Sequence, residues 1–96
     1  MKYTHEVIDI IKKDKTLYDL IINSEAIRTH EGEIHSRKTL ENFWSGFDGS
    51  KFREIIESEH KLNIASTHQR GEIKQAVFLI MCRFSQEKRQ GGIKNE

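Results

Sequence analysis

His30-Glu31-Gly32-Glu33-Ile34-His35 is the stretch of this chain whose residue types most suggest metal chemistry. A zinc-binding helix places its two histidines four apart, with a glutamate after the first. Here the histidines are five apart. At 100° per residue the second imidazole turns about 140° away from the first, and Gly32 weakens any helix between them. The pair could reach one ion only from a loop, with Glu31 or Glu33 assisting, so a solvated loop is expected and no metal is assigned. Cys82 lies in the apolar run Ala76–Cys82. Its neighbour Arg83 does not share its face on a helix, so an inert core thiol is expected. Gly46 and Gly49 lack the pattern of a phosphate loop. Ser36, Ser45, Ser50 and Ser66 lack a nucleophile elbow. Glu57 and Glu59 diverge on a helix. The expectation is a protein with no enzyme activity and no cofactor.

Ser36-Arg37-Lys38-Thr39-Leu40-Glu41-Asn42-Phe43-Trp44 carries a different chemistry. It resembles the recognition helix of repressors of the tetracycline-repressor type, which have a similar Ser-x-x-Thr-Leu-x-x-x-aromatic run. The resemblance covers nine residues. It implies a helix-turn-helix DNA-binding regulator with Arg37, Lys38 and Asn42 facing a major groove. Upstream the chain departs from that pattern. Glu33, Ile34 and His35 lengthen the turn after Gly32, and Glu25, Glu31, Glu33 and Glu41 bring negative charge to where phosphates would lie. A second basic set, Arg70, Lys74, Arg83, Lys88, Arg89 and Lys94, is interrupted by Glu72 and Glu87. No aromatic is expected among its exposed positions, so single-stranded bases have no stacking platform.

The third chemistry is burial against another protein. Phe43, Trp44 and Phe47 cluster beside two glycines, and aromatic anchors dominate protein interfaces. Leu79 and Met81, in the all-apolar run, are the second candidate contact, with a homodimer as one outcome. If the aromatics fill the core, the interface must come from the last helix, and the reverse.

These side chains need helices to position them. Tyr3, Val7, Ile10 and Ile11 fall at offsets 0, 4, 7 and 8, which predicts a helix over 3–13. Asp14 and Thr16 cap a second helix over 16–29, with a polar loop around Gly32. Ser36 opens a third, ending near residue 45 before Gly46. Asp48 or Ser50 caps a fourth containing Phe52, Ile55 and Ile56. Asn63 lies in the break before Ser66-Thr67-His68-Gln69, a capping-box form that starts the last helix. Gly91-Gly92 ends it.

The predicted architecture is therefore all-α, a small bundle of four to five helices with a long, largely buried C-terminal helix. Residues 1–90 form a single helical domain and 91–96 a flexible tail. The 96 residues include no proline and one cysteine, and 32% are charged against 35% hydrophobic. One cysteine excludes a disulfide scaffold and fits a reducing, cytoplasmic setting. The longest apolar run, seven residues, excludes a membrane span, which needs about 20. Residues 1–60 hold nine Lys/Arg and twelve Asp/Glu, a net of −3; residues 61–96 hold seven and three, a net of +4. Such a split can steer a partner. Together these features predict a non-enzymatic regulator acting by stoichiometric protein binding. In style, a short charged chain of this kind resembles the antagonist proteins of phages and mobile elements, which block a host nucleic-acid-processing or defence complex.

Overall fold

A computed structural model describes the backbone of residues 2–94 and the side chains of residues 3–88. The chain runs α1 (Lys2–Lys13), α2 (Lys15–Ile22), α3 (Glu25–Arg28), α4 (Arg37–Ser45), α5 (Phe47–Ser58) and α6 (Thr67–Lys94), with no strand among the described residues. The protein is an all-α bundle. Five of the helices have eight residues or more, in keeping with the apolar periodicity.

The short α3 exists because the expected second helix breaks at Ser24. The Ser24 hydroxyl donates to the carbonyl of Ile21 at 2.7 Å and accepts from the N–H of Ile27 at 3.4 Å. One side chain thus closes α2 and caps α3, which makes the break cheaper than continuing. The other caps follow local chemistry. Asp14 Oδ1 accepts from Thr16 N and Leu17 N ahead of α2. Ser36 Oγ accepts from Lys38 N ahead of α4. Ser66 Oγ accepts from Gln69 N ahead of α6, while Gln69 Oε1 accepts from Asn63 N instead of closing the box locally.

Two expected boundaries are corrected. α5 begins at Phe47, without a side-chain cap at Gly46, because Gly46 serves at once as the last cap of α4 and the first of α5. A Cβ on Gly49 would overlap the carbonyl oxygens of Phe43 and Trp44, so the close α4–α5 crossing depends on that glycine. Gly91-Gly92 does not end α6, which continues to Lys94. Glycine weakens a helix by about 1 kcal/mol relative to alanine but keeps its N–H donor. Of the expected tail, Asn95 and Glu96 lie outside the described residues.

At about 1.5 Å per residue the 28-residue α6 is roughly 42 Å long, which accounts for the 44 Å longest dimension of the molecule. It packs against α1, α4 and α2. Val7, Ile11, Leu17, Ile21, Leu40, Phe43, Phe52, Ile56, Ile73, Val77 and Met81 meet in one core. No helix among the described residues is long and apolar enough to cross a membrane.

Candidate protein-binding surface

The aromatic cluster divides between interior and surface. Phe43 is buried, edge-on to Phe52 with ring centroids 5.7 Å apart. Trp44 is half-buried, 6.3 Å from Phe52, with Arg53 and Lys74 over its ring at 5.8 and 5.6 Å. Lys74 also pairs with Glu41 at 2.7 Å. Phe47, the first residue of α5, is 74% exposed. Lys51, one turn on, places its ammonium 4.7 Å from the Phe47 ring centroid. Beside Phe47 lies a notch of about 290 Å³ between α3, α4 and α5, lined by Ser24, Ala26, Thr29 and Asn42 among others.

The second candidate contact divides likewise. Met81 is fully buried, whereas Leu79 is 38% exposed. Phe43 and Met81 therefore have no surface to offer and leave the expected contact set. The reason is the helical phase: Phe43 and Met81 lie on the same sides of α4 and α6 as the buried Leu40 and Val77. Leu79 lines an open groove of about 860 Å³ between α1, α2 and α6, with Ile8, Tyr18 and Cys82 as its apolar wall. Asp9, Lys12, Arg83 and Glu87 rim it. Burial pushes the Cys82 thiol above its ordinary pKa, which keeps it protonated at neutral pH.

Of the helix-turn-helix residues, Lys38 and Asn42, one turn apart, share a face of α4, and Arg37 is turned away from it. Arg37 leans onto α6, donating to Gln75 Oε1 at 2.8 Å and standing 5.3 Å over the Phe78 ring. Lys38 is exposed, and Asn42 lines the notch beside Phe47. Residues 29–36 form no tight turn. They fold back so that the buried Ile34 donates its N–H to Ser85 Oγ at 3.0 Å. Phe78, half-buried, packs under Arg37 rather than standing exposed.

His30 is held within its own loop, its Nε2 3.1 Å from the carbonyl of Glu33. His35 Nε2 lies 3.6 Å from Glu33 Oε2. Among the described residues no three or more His, Cys, Asp or Glu side chains are placed to share a metal ion. Two polar pairings escaped sequence reasoning. Asp14 Oδ2 meets His60 Nε2 at 2.8 Å, and this bond is the main reason the carboxyl sits below its ordinary pKa. The Thr4 hydroxyl meets Glu72 Oε1 and lowers that carboxyl in the same way. Asp14 carried a signal as a cap; nothing local marks His60, Thr4 or Glu72.

The fold is a small helical bundle, and among the described residues Phe47 and Leu79 are its exposed large apolar side chains. No protein-family model, curated protein or solved structure matches the chain.

Proposed function

We propose that this protein is a non-enzymatic regulator that acts by stoichiometric binding to another protein, with Phe47 as its anchor. The observation that carries this reading is the exposure of Phe47. Phe43 and Phe52 are buried and Phe78 and Phe84 are half-buried, so the chain places its other phenylalanines against its own helices. Phe47 stands 74% exposed at a helix start, beside a notch and under a lysine. A rigid aromatic next to a concavity, rimmed by charge, is the arrangement that concentrates binding energy at protein interfaces. Small size and split charge suit an inhibitor of the kind phages and mobile elements use against a host complex. The single Cys82 suits a reducing cytoplasm.

Immobilised wild type and Phe47→Ala, compared by affinity purification from source cells, test the proposal. Wild type enriches a protein in fixed stoichiometry, and Phe47→Ala loses it while keeping its helical circular dichroism. Equal capture by both forms overturns the role of Phe47. Tight, salt-sensitive binding to random duplex DNA near physiological salt, with no protein enriched, overturns the protein-binding function in favour of DNA regulation through Arg37, Lys38 and Asn42.

A further inference from the structure

The chain holds 15 Asp and Glu residues, yet among the described residues none of them pairs with the arginines gathered around the seam between α4 and α6. Arg37 of α4 gives an N–H to Gln75 Oε1 at 2.8 Å and lies 5.3 Å over the Phe78 ring. Arg53 of α5 gives its Nε–H to the carbonyl of Gly49 at 3.3 Å and lies 5.8 Å over Trp44. Arg70 of α6, one turn before Lys74, gives an N–H to the carbonyl of Ile64 at 3.1 Å. Lys74 stands over the same Trp44 ring as Arg53. Arg37 and Arg53 belong to the acidic part of the chain and Arg70 and Lys74 to the basic part, so it is the fold that gathers them. A neutral acceptor or a ring orients a guanidinium without cancelling its charge, and each of these arginines keeps further donors of its five. Against the four cations stand two carboxylates. Glu41 is paired with Lys74, and Glu57, one turn after Arg53, is in no ion pair among the described residues.

We propose that this seam receives an acidic segment of a partner protein, whose carboxylates are taken by the free guanidinium donors of Arg37, Arg53 and Arg70. A carboxylate matches the guanidinium fork with two parallel hydrogen bonds. A cation already held against a ring or a carbonyl loses little further freedom when it binds. From Arg70 to Phe78, under Arg37, the set follows α6 for roughly 12 Å, a length that about four extended residues span. A nucleic acid fits less well. The rings of Trp44 and Phe78 lie under the cations, which leaves bases no stacking platform. A duplex carries a negative charge every ~1.7 Å and would press phosphates onto Glu41 and Glu57, whereas spaced side-chain carboxylates pass them by. Phe47 stands beside the notch between α3, α4 and α5, so the seam does not rest on its role as an anchor.

Fluorescence anisotropy with the full chain tests the seam. The probe is a dye-labelled peptide of alternating Glu and Ser, long enough to reach all three guanidiniums; the control carries Gln in place of each Glu. The acidic peptide binds and the control does not, and binding weakens as salt rises from about 50 to about 200 mM. Arg37→Glu and Arg53→Glu each weaken it roughly tenfold, as the loss of a charge-assisted hydrogen bond predicts. Lys13→Glu, at an exposed site in the last turn of α1, makes the same change in net charge and alters binding by less than about twofold. Arg37 is exposed, so Arg37→Glu keeps its helical circular dichroism and decides the matter even where the half-buried Arg53→Glu does not fold. No binding, equal binding of the glutamine peptide, or an equal loss in Lys13→Glu overturns the proposal. A single-stranded or duplex oligonucleotide that binds more tightly than the acidic peptide at the same salt, and is lost in Arg37→Glu, overturns it in favour of nucleic acid. A synthetic peptide stands in for the partner, so failure here leaves the Phe47 reading untouched, and failure of the Phe47 capture leaves the seam untouched.

Discussion

His60 Nε2 lies 2.8 Å from Asp14 Oδ2, tying the segment after α5 to the junction of α1 and α2. The other oxygen of the same carboxylate caps α2 through Thr16 N and Leu17 N. Asp14 therefore holds a helix start and a tertiary contact at once. The His60 bond, ahead of the backbone bonds, holds its carboxyl below the ordinary range.

A folded pKa below the unfolded one gives stability that is complete above the unfolded carboxylate value of about 3.9 and is lost as pH falls through the lower folded value. Urea denaturation from about pH 6 down to about pH 2 should show stability declining across that window. Asp14→Asn keeps a capping oxygen but removes the titration. Its curve should lie below wild type at pH 6 and converge on it in acid. Parallel curves would show that Asp14 contributes nothing to acid sensitivity.

Asp14→Ala removes both the cap and the His60 partner. The expected loss is about 2 kcal/mol at neutral pH, the upper range for a cap. His60→Ala should cost less, because the cap survives. Equal losses in the two variants would mean that the cap contributes little.

Ser85 tethers the 29–36 segment. Its Oγ accepts from the buried N–H of Ile34 and donates to the carbonyl of Cys82 at 2.9 Å. Ser85→Ala leaves the Ile34 donor buried without a partner, which costs about 1–3 kcal/mol. Limited proteolysis should then cut within 29–36 sooner than in wild type. An unchanged digestion rate would show that Ile34 packing alone secures the segment.

Two glycines should respond in opposite directions. Gly49→Ala forces a methyl into the Phe43 and Trp44 carbonyls and should cost about 3 kcal/mol, the high end for overpacking. Gly71→Ala, inside α6 with open space around it, should raise stability by about 0.5–1 kcal/mol. Thermal melts of both variants check the pair.

Phe52 and Phe47 separate packing from recognition. Phe52→Ala empties a fully buried site in contact with Phe43 and Trp44, at a cost of about 3–5 kcal/mol. Phe47→Ala should change stability by no more than about 0.5 kcal/mol. A large loss of stability in Phe47→Ala would give that ring a structural role and remove the reason to regard it as an anchor.

The helical fold was legible because helix formation is local. Apolar spacing at Tyr3–Ile11 and Leu40–Phe43, and caps at Asp14, Ser36 and Ser66, act within a turn of the residues that carry them. The break at Ser24 was not legible, since its hydroxyl acts only once Ile21 and Ile27 are already positioned. Phe43, Trp44 and Phe47 are chemically alike and close in sequence, yet one is core, one half-buried and one exposed. The difference comes from where Gly46 and Gly49 let α5 cross α4.

The sequence by itself determined the class of fold, most of the helix starts and the apolar supply, through periodicity and capping. Only the tertiary structure decided which apolar residues are left over. Packing α6 against α1 and α4 consumes Met81 and spares Leu79. It draws Arg37 onto Phe78 and away from Asn42. Burial is a property of the whole arrangement of helices, so no window of the chain contains it.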